Sequence, residues 1–243
     1  MNGFAIVARD LEMRFSDDSI AIRSLSFSAR AGQIYCIVGP NGAGKTTLLK
    51  IAMGTLVPSK GCVWIHDHEM GSAAARMRTA YIPEQVALYR ELTALENLEY
   101  FLRLCGNPKA GKSNYATLLE AVGLRQDAHA KRLKGFSKGM RQKVALAAAI
   151  GKNADVLLLD EPMSGLDPRS TRELLDILNK QRCSGKTVLM VSHDLSAVAD
   201  IADVVGFMHL GTLRMELERQ AFGETPLTRL SELYYQLSAG ERA

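Results

Sequence analysis

Residues 39–46 read Gly-Pro-Asn-Gly-Ala-Gly-Lys-Thr, a run whose residue types can do chemistry together. Gly39, Gly42 and Gly44 leave the backbone free to curl so that its N–H groups converge, Lys45 adds a full cation, and Thr46 adds a hydroxyl. The spacing is G-x-x-x-x-G-K-[ST], which cradles phosphate when it follows a buried strand and opens a helix. Both conditions are met on paper: Gln33 to Val38 is an apolar strand candidate, and a helix is expected from near Lys45. Pro40, Asn41 and Ala43 complete the loop. Lys45 is suited to β- and γ-phosphates, Thr46 to Mg²⁺, and Thr47, one position further round, to a peripheral phosphate contact. ATP or GTP with Mg²⁺ is the expected ligand.

A second cluster lies far downstream. Val156-Leu-Leu-Leu-Asp160-Glu161 puts two carboxylates at the C-terminal end of an apolar run, where a parallel sheet presents its ligands. Asp160 is the candidate for holding Mg²⁺ through water, and Glu161, one residue on, for polarising an attacking water. Two solvated acids ending a strand would be the bland reading, and the phosphate loop upstream weighs against it. His193 follows a further apolar run, Val188 to Val191, and so is expected at the same sheet edge as Asp160.

The elements that must position these residues are legible as patterns. Alternating segments in residues 4–30, broken at Ser16-Asp17-Asp18-Ser19, read as strands of an antiparallel edge. The runs at Gln33, Val156 and Val188 read as parallel strands of one sheet. Between about Ala87 and Ile150 helical spacing takes over. Val204 to Met215 reads as a hairpin, and Thr225-Pro226 as the start of a docked terminal helix bearing Leu227, Leu230, Leu233, Tyr234 and Leu237. His66-Asp67-His68-Glu69 looks like a small metal site, but two histidines on one strand face without further ligands read better as a solvated hairpin.

Composition excludes several classes. With 47% hydrophobic residues the chain is expected to bury an ordinary core. Lys plus Arg number 30 against 26 Asp plus Glu, and a net charge of +4 is too small to argue by itself for a nucleic-acid partner, so none is expected. Cys36, Cys62, Cys105 and Cys183 form no C-x-x-C pair, which fits free thiols in a reducing compartment, the cytoplasm. No apolar run approaches the roughly 20 residues needed to span a bilayer. The first residues lack a secretory pattern, so the chain is expected to stay unexported.

Three further segments make the pattern specific. Phe136-Ser-Lys-Gly-Met-Arg-Gln142 resembles the signature loop of ABC ATPases, Ser164-Gly-Leu-Asp167 is similar to their D-loop, and Val191-Ser-His193-Asp194 to their switch-histidine segment. Their order along the chain is also the family's, and the resemblance covers about residues 8–215. It implies an α/β fold: a P-loop NTPase (RecA-like) sheet domain with an antiparallel β edge and a helical signature subdomain. On this reading residues 1–243 form one ABC ATPase domain, with 1–83 and 151–215 the RecA-like core, 84–150 the helical subdomain and 216–243 a C-terminal helical tail.

The resemblance also assigns roles. Two ATPase subunits, two copies or this chain with a related one, would meet head to tail, with Ser137 and the Gly139 backbone at the start of a helix Met140 to Ile150 covering the other's nucleotide and Asp167 nearby. His193 would bond the γ-phosphate and orient the water beside Glu161, and Phe15 would stack on adenine. At the glutamine-loop position stands Glu84, a possible Mg²⁺ ligand, with Gln85 as the competing register. Lys138 and Met140 depart from the commonest signature, and Y-I-P-E with F-S-K-G-M-R-Q looks most like the ABC-2-type exporter subgroup. The implied partner is a transmembrane permease subunit, and the implied location the inner face of the cell membrane. A soluble ABC ATPase acting in complex assembly is the alternative.

Overall fold

Ile34–Val38, Val156–Asp160 and Thr187–Ser192 are buried along their whole length and form the middle of the sheet. The computed structural model describes residues 3–106 and 112–239. The expected segments that reach residues 1–2, 107–111 and 240–243 extend there beyond the described residues. In chain order the elements are β1 (Phe4–Arg14), β2 (Ile20–Arg30), β3 (Ile34–Val38), α1 (Lys45–Met53), β4 (Lys60–Ile65), β5 (His68–Glu69), α2 (Ala73–Arg78) and β6 (Thr79–Ile82). They continue as α3 (Ala94–Leu104), α4 (Lys112–Ala121), α5 (Gln126–His129), α6 (Lys138–Gly151), β7 (Val156–Asp160), α7 (Pro168–Cys183), β8 (Thr187–Ser192), α8 (Leu195–Ile201), β9 (Val204–His209), β10 (Thr212–Glu218) and α9 (Pro226–Ala239).

The strands join in the order β5-β4-β1-β2-β10-β9-β3-β8-β7-β6. From β9 to β6 every pairing is parallel, whereas β1, β2, β4 and β5 pair antiparallel, as the expected edge. Period-two alternation explains why the parallel strands read as unbroken apolar runs: both faces are covered. Ile34, Cys36, Val38, Leu157, Leu159, Val188 and Met190 enter a core shared with the helices α3 to α9. Tyr35, Ile37, Val156, Leu158, Leu189 and Val191 enter a second core around α1 and the antiparallel edge.

The register aligns the strand ends that matter. Val38 lies opposite Ser192, and Asp160 opposite Val191, so the phosphate loop, the acidic pair and His193 emerge from one edge. The terminal helix docks as expected through buried Leu230 and Leu233, although Leu227 stays exposed. One expectation is corrected. The helix expected from Met140 begins at Lys138, because Ser137 accepts a bond from the Met140 N–H and caps it. The hairpin expected at residues 66–69 is present: His66 and Asp67, with φ of 44° and 66°, form the turn that joins β4 to β5, so His66 and His68 share no strand face.

Candidate active site

The phosphate loop is held by contacts that allow no side chain at two of its glycines. A Cβ on Gly39 would meet the Met208 carbonyl oxygen at 2.1 Å. Gly44, with φ of 101°, ends the loop where α1 begins, and a Cβ there would come within 2.3 Å of the Ala21 carbonyl oxygen. Gly39→Ala is therefore expected to lower stability by about 2–3 kcal/mol, through forced separation of β3 from β9, and to weaken nucleotide binding. Urea unfolding followed by equilibrium binding of a fluorescent ATP analogue checks both.

Lys45, at the start of α1, is buried and folds back over the loop. Its Nζ donates to the Gly39 carbonyl at 2.7 Å and the Pro40 carbonyl at 3.1 Å, and lies 3.7 Å from Glu161 Oε1. On the next residue the Thr46 hydroxyl donates to Asp160 Oδ1 at 3.0 Å, which joins the loop to β7. Thr47 follows, half-buried on the first turn of α1.

Glu161 sits where β7 turns sharply, with a φ of 44° that costs a non-glycine residue roughly 1–3 kcal/mol. Bonds to the neighbouring strand hold it there. Its N–H donates to the Val191 carbonyl at 3.0 Å, and its Oε2 accepts from the His193 N–H at 3.2 Å and lies 2.8 Å from His193 Nδ1. His193 in turn is fixed between the end of β8 and α8, whose N-cap Asp194 accepts from the N–H groups of Ser196 and Ala197. Lys45, Thr46, Asp160, Glu161 and His193 thus form one bonded constellation at the sheet edge.

The electrostatics of this constellation fit a polyanion and a divalent cation. Burial pushes the Lys45 ammonium below its ordinary pKa, against the opposing pull of Glu161 and Asp160. Burial raises Asp160, with Thr46 and Tyr81 opposing and the charges of Glu161 and Glu84 adding to the rise. A phosphate beside Lys45 and a hard cation beside Asp160 would each favour the charged form of its neighbour. The oxygen donors here, the Thr46 hydroxyl and the carboxylates of Asp160 and Glu84, suit Mg²⁺. Glu84 does not bond Asp160 directly; it accepts a bond from the Ser164 hydroxyl at 3.0 Å and acts on Asp160 through its charge.

The signature residues form a separate group. Ser137 is exposed at the start of α6, and Gly139 is buried so closely against α7 that a Cβ would come 3.0 Å from Ser170 Oγ. The Asp167 carboxylate caps α7, accepting from the N–H of Ser170 at 2.9 Å and its hydroxyl at 2.7 Å, and these bonds hold its pKa below the usual range. Asp-Pro-Arg-Ser at 167–170 is a cap and first-turn proline, a local signal that sequence reading passed over. Phe15 stands apart, 39% exposed in the turn between β1 and β2, so it is not a core phenylalanine. Tyr81 was missed altogether: its hydroxyl donates to Asp160 Oδ2 at 3.1 Å from the neighbouring strand.

Comparison with known proteins agrees with this geometry. Residues 22–164 match the family described as ABC transporter. Over 213 residues, 85% of this chain and 86% of the other, the chain is 35% identical to the ABC transporter ATP-binding protein NatA of Bacillus subtilis. It is 36% identical over 196 residues to an uncharacterized ABC transporter ATP-binding protein of Nostoc, 80% of this chain but 58% of that one. The chain therefore spans little more than half the length of that relative, and 55% of a similar one in Synechocystis. The solved ATP binding subunit of an ABC transporter, 28% identical, superposes with a TM-score of 0.82 over 96% of this chain and 99% of its own. A loop, an acidic strand end and a signature helix in this order and geometry, on this fold, make the chain a member of the ABC transporter family, among its ATP-binding proteins.

Proposed function

We propose that the chain is an ATP-hydrolysing subunit that powers translocation, in the export direction, through a separate transmembrane permease. The bonded constellation of Lys45, Thr46, Asp160, Glu161 and His193 is the observation that carries hydrolysis. Lys45 and the loop N–H groups from Asn41 through Thr47 bind the phosphates, and Phe15 offers an exposed ring to the adenine. Thr46 and Asp160, with Glu84 nearby, hold Mg²⁺, which neutralises phosphate charge when bound. Glu161 accepts the proton of the attacking water, and His193 keeps that carboxylate aimed. Ser137 and Gly139 cover the nucleotide of a second ATPase subunit, a copy or a related chain, with Asp167 stiffening the adjoining helix start.

A groove of about 310 Å³ supports the membrane partner. It opens beside the Glu84 loop between the sheet and the helices, lined by Ile82, Val86, Leu88, Phe101, Cys105 and Ala148 among others, and is mainly apolar. Exposed Tyr89 and Tyr100, stacked edge to face at 4.8 Å, continue the apolar surface from Phe101. Such a surface next to the loop that reports on Asp160 suits a partner that must feel the nucleotide. Among the described residues no helix is long and apolar enough to cross a membrane; in this reading the permease supplies the spanning part and the domain works at the inner face. Relatives carry matching names, among them a Nod factor export ATP-binding protein of Burkholderia orbicola, 36% identical.

A tagged Glu161→Gln chain, held on ATP, should co-purify with a polytopic membrane protein from detergent-solubilised membranes. Recovery only with a cytoplasmic partner would replace this reading by a soluble assembly ATPase.

A further inference from the structure

Tyr81 opens the Y-I-P-E segment but has no role assigned by the resemblance, yet its hydroxyl touches the carboxylate on which the metal site depends. We propose that Tyr81 is a positioning residue that locks Asp160 for Mg²⁺; the proposal rests on the nucleotide reading above. Asp160 is held by one bond to each oxygen: Thr46 Oγ1 donates to Oδ1 at 3.0 Å, and the Tyr81 hydroxyl donates to Oδ2 at 3.1 Å. With only the first bond the carboxylate could swivel about it; with both, its plane is fixed and Oδ1 stays turned toward Thr46.

The strand register explains why this residue must be a tyrosine. Tyr81 pairs with Leu158 across the parallel β6–β7 ladder. Leu158 faces the α1 core, and Asp160, two residues on, continues that face beside the phosphate loop. From position 81 a side chain must therefore reach about two strand residues, roughly 6–7 Å, to meet the carboxylate. A serine or threonine there would fall short, and a phenylalanine would span the gap without a donor.

The same segment makes a second tie. Three residues after Tyr81, Glu84 accepts a bond from Ser164, four residues after Asp160. The strand and loop at 81–84 are thus bonded twice to the strand and loop at 160–164, once at the metal carboxylate and once at the turn that leads to Asp167. Displacement of the Glu84 loop would move the Asp160 carboxylate through Tyr81. Supporting bonds of this kind commonly decide the affinity of the metal they do not touch.

The test is Tyr81→Phe, which deletes one oxygen and keeps the ring that packs against the core. Binding of a fluorescent ATP analogue is titrated at equilibrium in EDTA and across a Mg²⁺ series, so the readout does not depend on turnover. In EDTA the variant should match wild type within about twofold, while the Mg²⁺ concentration for half-maximal tightening should rise about tenfold. Electron paramagnetic resonance of Mn²⁺ in place of Mg²⁺ should report the same loss as free metal. An unchanged metal dependence would overturn the proposal. So would an equal loss of binding in EDTA, which would make Tyr81 a packing residue of the phosphate pocket. If the wild-type chain itself binds the analogue without regard to Mg²⁺, the metal site falls, and the Tyr81 role with it; if it does not bind the analogue at all, the nucleotide reading falls.

Discussion

Glu161→Gln is expected to lower steady-state ATP turnover by about three orders of magnitude while leaving ATP affinity within a factor of about three, the range for loss of a general base. The reasoning is local. Glutamine keeps the length of the side chain and an oxygen able to accept from the His193 N–H, now at 3.2 Å, so the turn after β7 has no reason to move. What is lost is the charge that accepts a proton from water. Removing that charge also takes away one of the influences that raise Asp160, so the metal carboxylate is not weakened by the change. Phosphate release by a coupled assay, paired with equilibrium nucleotide binding, separates the two effects. Turnover that stays above about a tenth of wild type would assign the base elsewhere.

Lys45→Ala is expected to weaken ATP binding by about a hundredfold or more, equivalent to about 2.7 kcal/mol. Lys45 is the buried cation of the phosphate loop, 7% exposed, and the loop amides that remain carry only partial charges. The effect on folding should be far smaller than the effect on binding. Burial already disfavours this ammonium in the free chain, so its removal relieves that penalty while it costs the bonds to Gly39 and Pro40. A thermal melt near wild type with nucleotide binding lost is the expected combination. Arginine should not rescue, because a guanidinium is larger than the space that holds Nζ within 3.1 Å of both carbonyls. Equal loss of stability and binding would mean that Lys45 serves the loop rather than the ligand.

Local signals made much of this molecule readable before its structure. Gly39 to Thr46 announces itself because loop, cation and hydroxyl are consecutive, and the flanking strand and helix begin and end where the pattern requires. The parallel strands were legible because burial on both faces leaves no charged residue in Ile34–Val38 or Thr187–Ser192. Ser137 as a helix cap and Asp167 before Pro168 are local signals in the sequence: the first starts α6 at Lys138 rather than Met140, and the second makes Asp167 the cap of α7.

Other features could not be read in this way. The Tyr81 bond joins residues 79 apart, and nothing near Tyr81 in sequence points to Asp160; only the pairing of β6 with β7 brings them together. Ser164 meeting Glu84 across 80 residues is hidden for the same reason. Long-range register, rather than propensity, decides each of these.

The most direct test of the account is the identity of the nucleotide that stays with the protein. Wild-type chain is incubated with Mg-ATP and orthovanadate, which resembles the transferring phosphoryl group, desalted rapidly, and the retained nucleotide is separated by chromatography. ADP is expected from the wild-type chain, uncleaved ATP from Glu161→Gln, and neither from Lys45→Ala. Retention of ATP without cleavage by the wild-type chain, or of ADP by Glu161→Gln in equal amount, would contradict hydrolysis at this sheet edge.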